Sequence, residues 1–226
     1  MNKSNLKYLL LIFTSIFLQS CINLEQQTTI NKDGSGTISL HYWTRSSNLS
    51  IGDELGGFSF SEEQIRKNYT SINSDVTELK TELTESDSTT HVRLKISFKD
   101  FNKLPEAKGF SNTKTEWKKD DGKYIFNYTQ GKDTVSADKL ASGEYKLIYG
   151  FNFPDEVIVS NGVIDGNSVR WEKSLSQLKD DIVMTAEIKN ERGTCGLFGI
   201  ELPGILLLGL IYSGFGLRRH RLRSGR

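Results

Sequence analysis

Two histidines, His41 and His91, stand in the long middle of this chain, and two cysteines, Cys21 and Cys195, occur in the whole of it. A nucleophilic hydrolase needs a serine or cysteine within reach of an imidazole base. Each of these histidines lies in a strand-like stretch with no nucleophile motif beside it, so that chemistry is not expected. Zinc needs three or four ligands at suitable spacing, which two isolated histidines do not supply. Acids and glycines cluster at Asp33-Gly34-Ser35-Gly36. A calcium EF-hand loop counted from Asp33 would need glycine at its sixth place and glutamate at its twelfth, and those places hold Ile38 and Thr44. This cluster, like Asp120-Asp121-Gly122 and Asp165-Gly166-Asn167, therefore reads as a turn. Acid pairs such as Asp180-Asp181 read as a solvated face. No catalytic residue, metal or cofactor is expected, and the chain reads as non-enzymatic.

The remaining candidate for chemistry is Cys21, and its meaning comes from what precedes it. Lys3 and Lys7 stand ahead of an apolar run from Tyr8 to Leu18, followed by small or polar residues. This is the layout of a cleaved secretory signal, and the run is too short to span a bilayer, which takes about 20 apolar residues. The signal ends in Leu18-Gln19-Ser20-Cys21, which resembles the lipobox of bacterial lipoproteins. The resemblance implies cleavage after residue 20 and a diacylglycerol on the Cys21 thiol. With Cys21 so used, Cys195 has no intramolecular partner, and the fold must be held by its core. At the other end, residues 196–217 are apolar apart from Glu201, and a basic tail, 218–226, follows. That pattern predicts a transmembrane helix with a cytoplasmic tail. It would place residues 21–195 on the extracytoplasmic face of the cell membrane, held at both ends. A second reading of the tail is a C-terminal sorting signal that is cleaved.

Between Ile22 and Cys195 the chain carries 22 Lys and Arg against 27 Asp and Glu, a net charge of −5. This argues against nucleic acid as a partner, because phosphate backbones are met by basic faces. The length suffices for one domain with a sizeable core. Strand signals dominate. Leu24 to Ile30 and Thr37 to Thr44 flank the first turn cluster as a hairpin. Val76 to Thr84 pairs with His91 to Phe98, and Thr115 to Lys118 with Tyr124 to Tyr128. Further strands are expected at Tyr145 to Phe153, Glu156 to Ser160, Ser168 to Glu172 and Ile182 to Ile188. Ser61 to Lys67 carries a helix start, Asp100 to Leu104 is a weaker candidate stopped by Pro105, and Ser47 to Phe60 reads as a loop. The expected fold class is α+β, a mainly antiparallel β-sheet with one or two packed helices, plus the C-terminal transmembrane helix. Many aromatics fall in strands, Tyr42, Phe126, Tyr128, Tyr149, Phe151 and Trp171 among them. They serve either as core and cross-strand pairs or as the lining of an apolar groove.

The segment Thr28-Thr29-Ile30-Asn31-Lys32-Asp33-Gly34-Ser35-Gly36-Thr37, with Phe153-Pro154-Asp155-Glu156-Val157-Ile158-Val159-Ser160-Asn161-Gly162 and Gly166-Asn167-Ser168-Val169-Arg170-Trp171, resembles the LppM-type bacterial lipoprotein domain. The resemblance implies an envelope domain that binds a membrane lipid or glycolipid, and it supplies no site residues beyond the lipidation site, Cys21. The rival expectation is an assembly factor that contacts a protein partner, and an uncharacterised envelope enzyme stands third.

Overall fold

Apolar and polar residues alternate along Ile22–Ile30 (β1), so Ile22, Leu24 and Ile30 share one buried face with two polar residues, Gln26 and Thr28. That strand turns through residues 31–35 into Gly36–Arg45 (β2), and the two pair antiparallel along their whole length. The computed structural model describes residues 22–49, 54–55, 57–86, 88–134 and 146–190. After β2 come a 3-10 turn at Ser46–Leu49 and a small hairpin, Glu54–Leu55 (β3) with Phe58–Ser59 (β4). These occupy the stretch expected to be loop. The Tyr42 hydroxyl donates to the Ser59 carbonyl and ties this hairpin to the core.

The α-helix Glu62–Tyr69 (α1) forms where Ser61 and the two acids predict it, and it buries Ile65, Asn68 and Tyr69. A long hairpin follows, Ser74–Thr84 (β5) with Thr89–Phe98 (β6). The weaker helical candidate is a 3-10 helix, Phe101–Glu106, with Asp100 accepting from the Asn102 N–H at its start and Pro105 inside it. Thr113–Asp120 (β7) and Lys123–Gln130 (β8) form the third expected hairpin. The last third is Lys146–Asn152 (β9), Val157–Ser160 (β10), Val163–Asp165 (β11), Ser168–Ser174 (β12) and Ile182–Lys189 (β13).

These strands make a seven-stranded sheet, β11-β12-β9-β1-β2-β6-β5, and a four-stranded sheet, β10-β13-β8-β7. All pairings are antiparallel except β1 with β9, where Leu24 lies beside Leu147 and Thr28 beside Phe151. Rings from both sheets interlock between the layers. Phe126 of β8 meets Phe151 at 4.7 Å and Phe153 at 5.0 Å between centroids, and Trp171 of β12 at 6.1 Å. The outer face of the large sheet faces solvent, with Arg93 paired to Glu82 and Lys95 to Glu78 at 3.5 Å.

The two ends of the folded unit lie far apart. Asn190 follows β13 and donates to the Gly122 carbonyl in the β7–β8 turn, and Lys32 of the β1–β2 turn reaches Asp155 at 2.9 Å. Ile22 lies at the opposite end of β1, and a nine-residue strand spans about 30 Å.

The expected fold class is corrected in its helical part. No helix among the described residues is long and apolar enough to cross a membrane. The one α-helix there, α1, has eight residues, so it is about 12 Å long, against a hydrocarbon layer of about 30 Å. The second expected helix is a 3-10 helix, because Pro105 lacks the N–H that an α-helical register needs. Residues 1–21, with the signal and Cys21, and residues 191–226, with the predicted transmembrane helix and basic tail, lie outside the described residues.

Candidate functional site

At the Ile22 end, the four-stranded sheet and α1 cover neighbouring parts of the large sheet and leave a gap between them. The gap is a cavity of about 280 Å3. Its floor is the inner face of the large sheet, with Ile22 and Leu24 from β1, Leu40 from β2 and Leu147 from β9. Tyr128 closes one side from β8, and Tyr69 closes the other from α1. The charged lining residues Glu54, Lys108 and Asp133 are exposed or half-buried. Deeper in, the walls are apolar or neutral.

The polar groups inside are few and well defined. Gln26 is 4% exposed and sits on the inward face of β1, where alternation calls for an apolar residue. Its Nε2 donates to Thr28 Oγ1 at 3.1 Å, and its amide also meets the Tyr128 oxygen in a hydrogen bond that favours the ionised phenol, against the larger effect of burial. Tyr69 and Tyr149 are 7% and 2% exposed, and among the described residues their hydroxyls have no hydrogen-bond partner. Burial pushes the phenols of Tyr69, Tyr128 and Tyr149 far above their ordinary range. The neighbouring Tyr69 adds to the effect at Tyr149, and Tyr149 and Tyr69 add to it at Tyr128. The three hydroxyls therefore hold their protons and act as donors.

This has a consequence for stability at high pH. A phenol whose pKa is raised on folding keeps its proton while the unfolded chain releases its own near pH 10. The unfolded state then binds fewer protons, so stability is intact below about pH 10 and falls as pH rises from there toward the folded-state values. In an alkaline titration followed by phenolate absorbance, the buried tyrosines are expected to ionise only together with loss of the far-ultraviolet dichroism. Smooth ionisation of all eight tyrosines in a chain that stays folded would contradict the buried cluster.

The histidines are not isolated in space. Because β2 pairs with β6, His41 Nε2 and His91 Nδ1 lie 3.1 Å apart on the outer face of the large sheet. His91 Nε2 is 2.8 Å from Thr89 Oγ1, His41 Nδ1 is 3.8 Å from Glu25, and Trp43 stacks on His41 at 4.5 Å. Burial, then the nearby Arg93 and His91, lower the His41 pKa, against an opposing effect of Glu25, and so favour the neutral form of His41. A hydroxyl, two imidazoles and a carboxylate in a row form a proton relay in outline. It lies on the open side of the sheet, where His41 borders a shallow groove of about 580 Å3 that neither Thr89 nor His91 lines. Among the described residues no group of three or more His, Cys, Asp or Glu side chains is placed to hold a metal.

The other sequence candidates are accounted for locally. Asp33 accepts from the Ser35 N–H at 3.0 Å and from its hydroxyl at 2.7 Å, and Gly34 takes φ +84°, so the acidic cluster is a hairpin turn. The strand aromatics divide. Phe126, Phe151, Phe153 and Trp171 are core, whereas Tyr128 and Tyr149 line the cavity, and Tyr145 lies outside the described residues. Gln26 and Thr28 were not singled out from the sequence. Their signal is present there, as two polar residues at the inward places of Ile22-Asn23-Leu24-Glu25-Gln26-Gln27-Thr28-Thr29-Ile30.

No protein-family model matches the sequence, and no curated protein matches it. Among solved structures the chain is similar to the NMR structure of the Mycobacterium tuberculosis LppM protein folded domain. The identity is 14% and the TM-score 0.46, over 76% of this chain and 92% of that one. The likeness is one of fold alone, and no residue role is taken from it.

Proposed function

We propose that this chain is an envelope lipoprotein, lipid-modified at Cys21, whose domain binds one lipid or glycolipid without catalysing a reaction. The observation that supports the reading is the cavity, apolar on its floor, neutral and polar at its wall, and bordered by the residue that follows Cys21. A pocket near 300 Å3 is at the small end of ligand sites. It takes the junction between head and tail of a lipid, and the rest of the molecule stays outside. A lipid-modified Cys21 would hold that end of the domain against the membrane surface, where such a ligand is at hand.

The test is native mass spectrometry of the full-length protein extracted gently from its own membrane, repeated after denaturation. A non-covalent mass lost on denaturation is expected, with the covalent lipid of Cys21 present in both spectra. Leu40→Trp places an indole over the cavity floor and is expected to reduce the non-covalent species at least about tenfold, the effect of about 1.4 kcal/mol. Leu147→Phe serves as a milder second variant if Leu40→Trp melts early. Wild-type protein that carries the covalent lipid alone would overturn the reading.

A second reading, docking of a protein partner, has its own support. Ile158, Val159, Val163, Ile164 and Val183 are large apolar residues left exposed on β10, β11 and β13. Apolar residues gathered at a sheet edge are a feature of interaction surfaces.

A further inference from the structure

The walls of the cavity restrict which part of a lipid can sit there. A phosphate or carboxylate moved among neutral walls loses its hydration and needs a buried cation in return. Lys108 is the cation among the lining residues, and it is exposed. Tyr69 on α1 and Tyr149 on β9 both line the cavity, and their hydroxyl groups lack protein partners among the described residues. The third phenol, Tyr128, differs in that its oxygen meets the Gln26 amide. Neither the Tyr69 nor the Tyr149 hydroxyl is fully enclosed by protein, so each stays open to the cavity and can donate to an occupant. Two free O–H donors over an aliphatic floor match an uncharged acceptor with two lone pairs, joined to a hydrocarbon chain.

We infer that the cavity recognises the ester carbonyl of an acyl lipid, with Tyr69 and Tyr149 donating to it and the first part of the acyl chain lying on Leu24, Leu40 and Leu147. This rests on the reading that the cavity holds a lipid. Head-group charge plays no part in the deep contact, so phospholipid and glycolipid esters are both accepted. Any head-group preference comes from the rim, where Glu54, Lys108 and Asp133 stand.

The experiment compares two probes on the full-length protein in detergent micelles: a dioleoyl phosphatidylglycerol and its dialkyl ether analogue, matched in chain and head group but lacking the carbonyls. Retention of each is read by native mass spectrometry. The wild type is expected to favour the ester. Tyr69→Phe and Tyr149→Phe are each expected to weaken ester binding roughly fivefold, the effect of one neutral hydrogen bond, and to leave ether binding unchanged. Loss of packing would weaken both probes alike, so the split between them isolates the hydroxyls. Equal binding of ester and ether to the wild type overturns the inference and leaves the lipid-binding reading standing. If neither probe binds to the wild type, that reading fails and the inference falls with it.

Discussion

Phe126→Ala is expected to destabilise the domain by about 3–5 kcal/mol, the range for emptying a fully buried aromatic site. Phe126 has no exposed surface and stands where the two sheets meet. Its ring contacts Phe101 at 5.5 Å, Phe151 at 4.7 Å and Phe153 at 5.0 Å, so one side chain joins the 3-10 helix, β8 and β9. Phe151 belongs to β9 and is fixed by the ladders on both sides of that strand, so the surroundings cannot collapse fully into the space. The cavity term therefore adds to the lost transfer energy. Urea unfolding should show a lower midpoint with an unchanged slope, and the melting temperature should fall by roughly 10 °C for a domain of this size. A loss below about 1 kcal/mol would mean that the sheets do not depend on this contact. Phe126 also lies two residues before Tyr128 on the same face of β8. Its removal is expected to loosen the cavity wall as well as the core, so ligand retention should weaken in the same variant.

The features legible in the sequence are the local ones. The β1–β2, β5–β6 and β7–β8 hairpins close over short turns, and alternation along each strand fixes which side faces inward. Ser61 with Glu62 and Glu63 marks the start of α1 in the same local way. The site is not local. Its floor joins Leu24 to Leu147 across a parallel pairing of segments more than a hundred residues apart, and nothing near either segment specifies that neighbour. The histidines illustrate the same limit, since each looks solitary in sequence and the β2–β6 register brings them to 3.1 Å. The cavity itself arises from a mismatch in coverage. The four-stranded sheet and α1 together are too narrow to cover the inner face of seven strands, and a gap between elements leaves no mark in any one element. Its one trace is the polar pair Gln26 and Thr28 at inward places of β1, since a buried amide persists only where it has partners.

Asn161→Ala is expected to cost about 2 kcal/mol, through hydrogen bonds that one amide makes to both sheets. Asn161 Oδ1 accepts from Trp171 Nε1 at 2.8 Å, on β12 of the large sheet. The same oxygen accepts from the Thr185 N–H at 2.9 Å, and Nδ2 donates to the Val183 carbonyl at 2.9 Å, both on β13 of the small sheet. Asn161 itself is exposed, so water can reach the freed Thr185 and Val183 groups. The Trp171 indole is 2% exposed and its N–H is not so easily rehydrated. The turn is held close to that ring, because a Cβ at Gly162 would fall 2.6 Å from a Trp171 ring atom. Asn161→Asp keeps the acceptor and loses the donor, placing a carboxylate beside the Val183 carbonyl, and should lie between wild type and alanine in stability. Trp171 fluorescence should respond to Asn161→Ala and hardly to Asn161→Asp. The strip of Ile158, Val159, Val163 and Ile164 flanks this turn on both sides. Releasing the clip should let β10 and β11 separate and raise self-association of Asn161→Ala in light scattering. If the alanine variant matches wild type in stability and stays monodisperse, the sheets are joined at this edge by the packing of Val157, Val169 and Trp171, and the amide contributes little to holding the apolar strip in place.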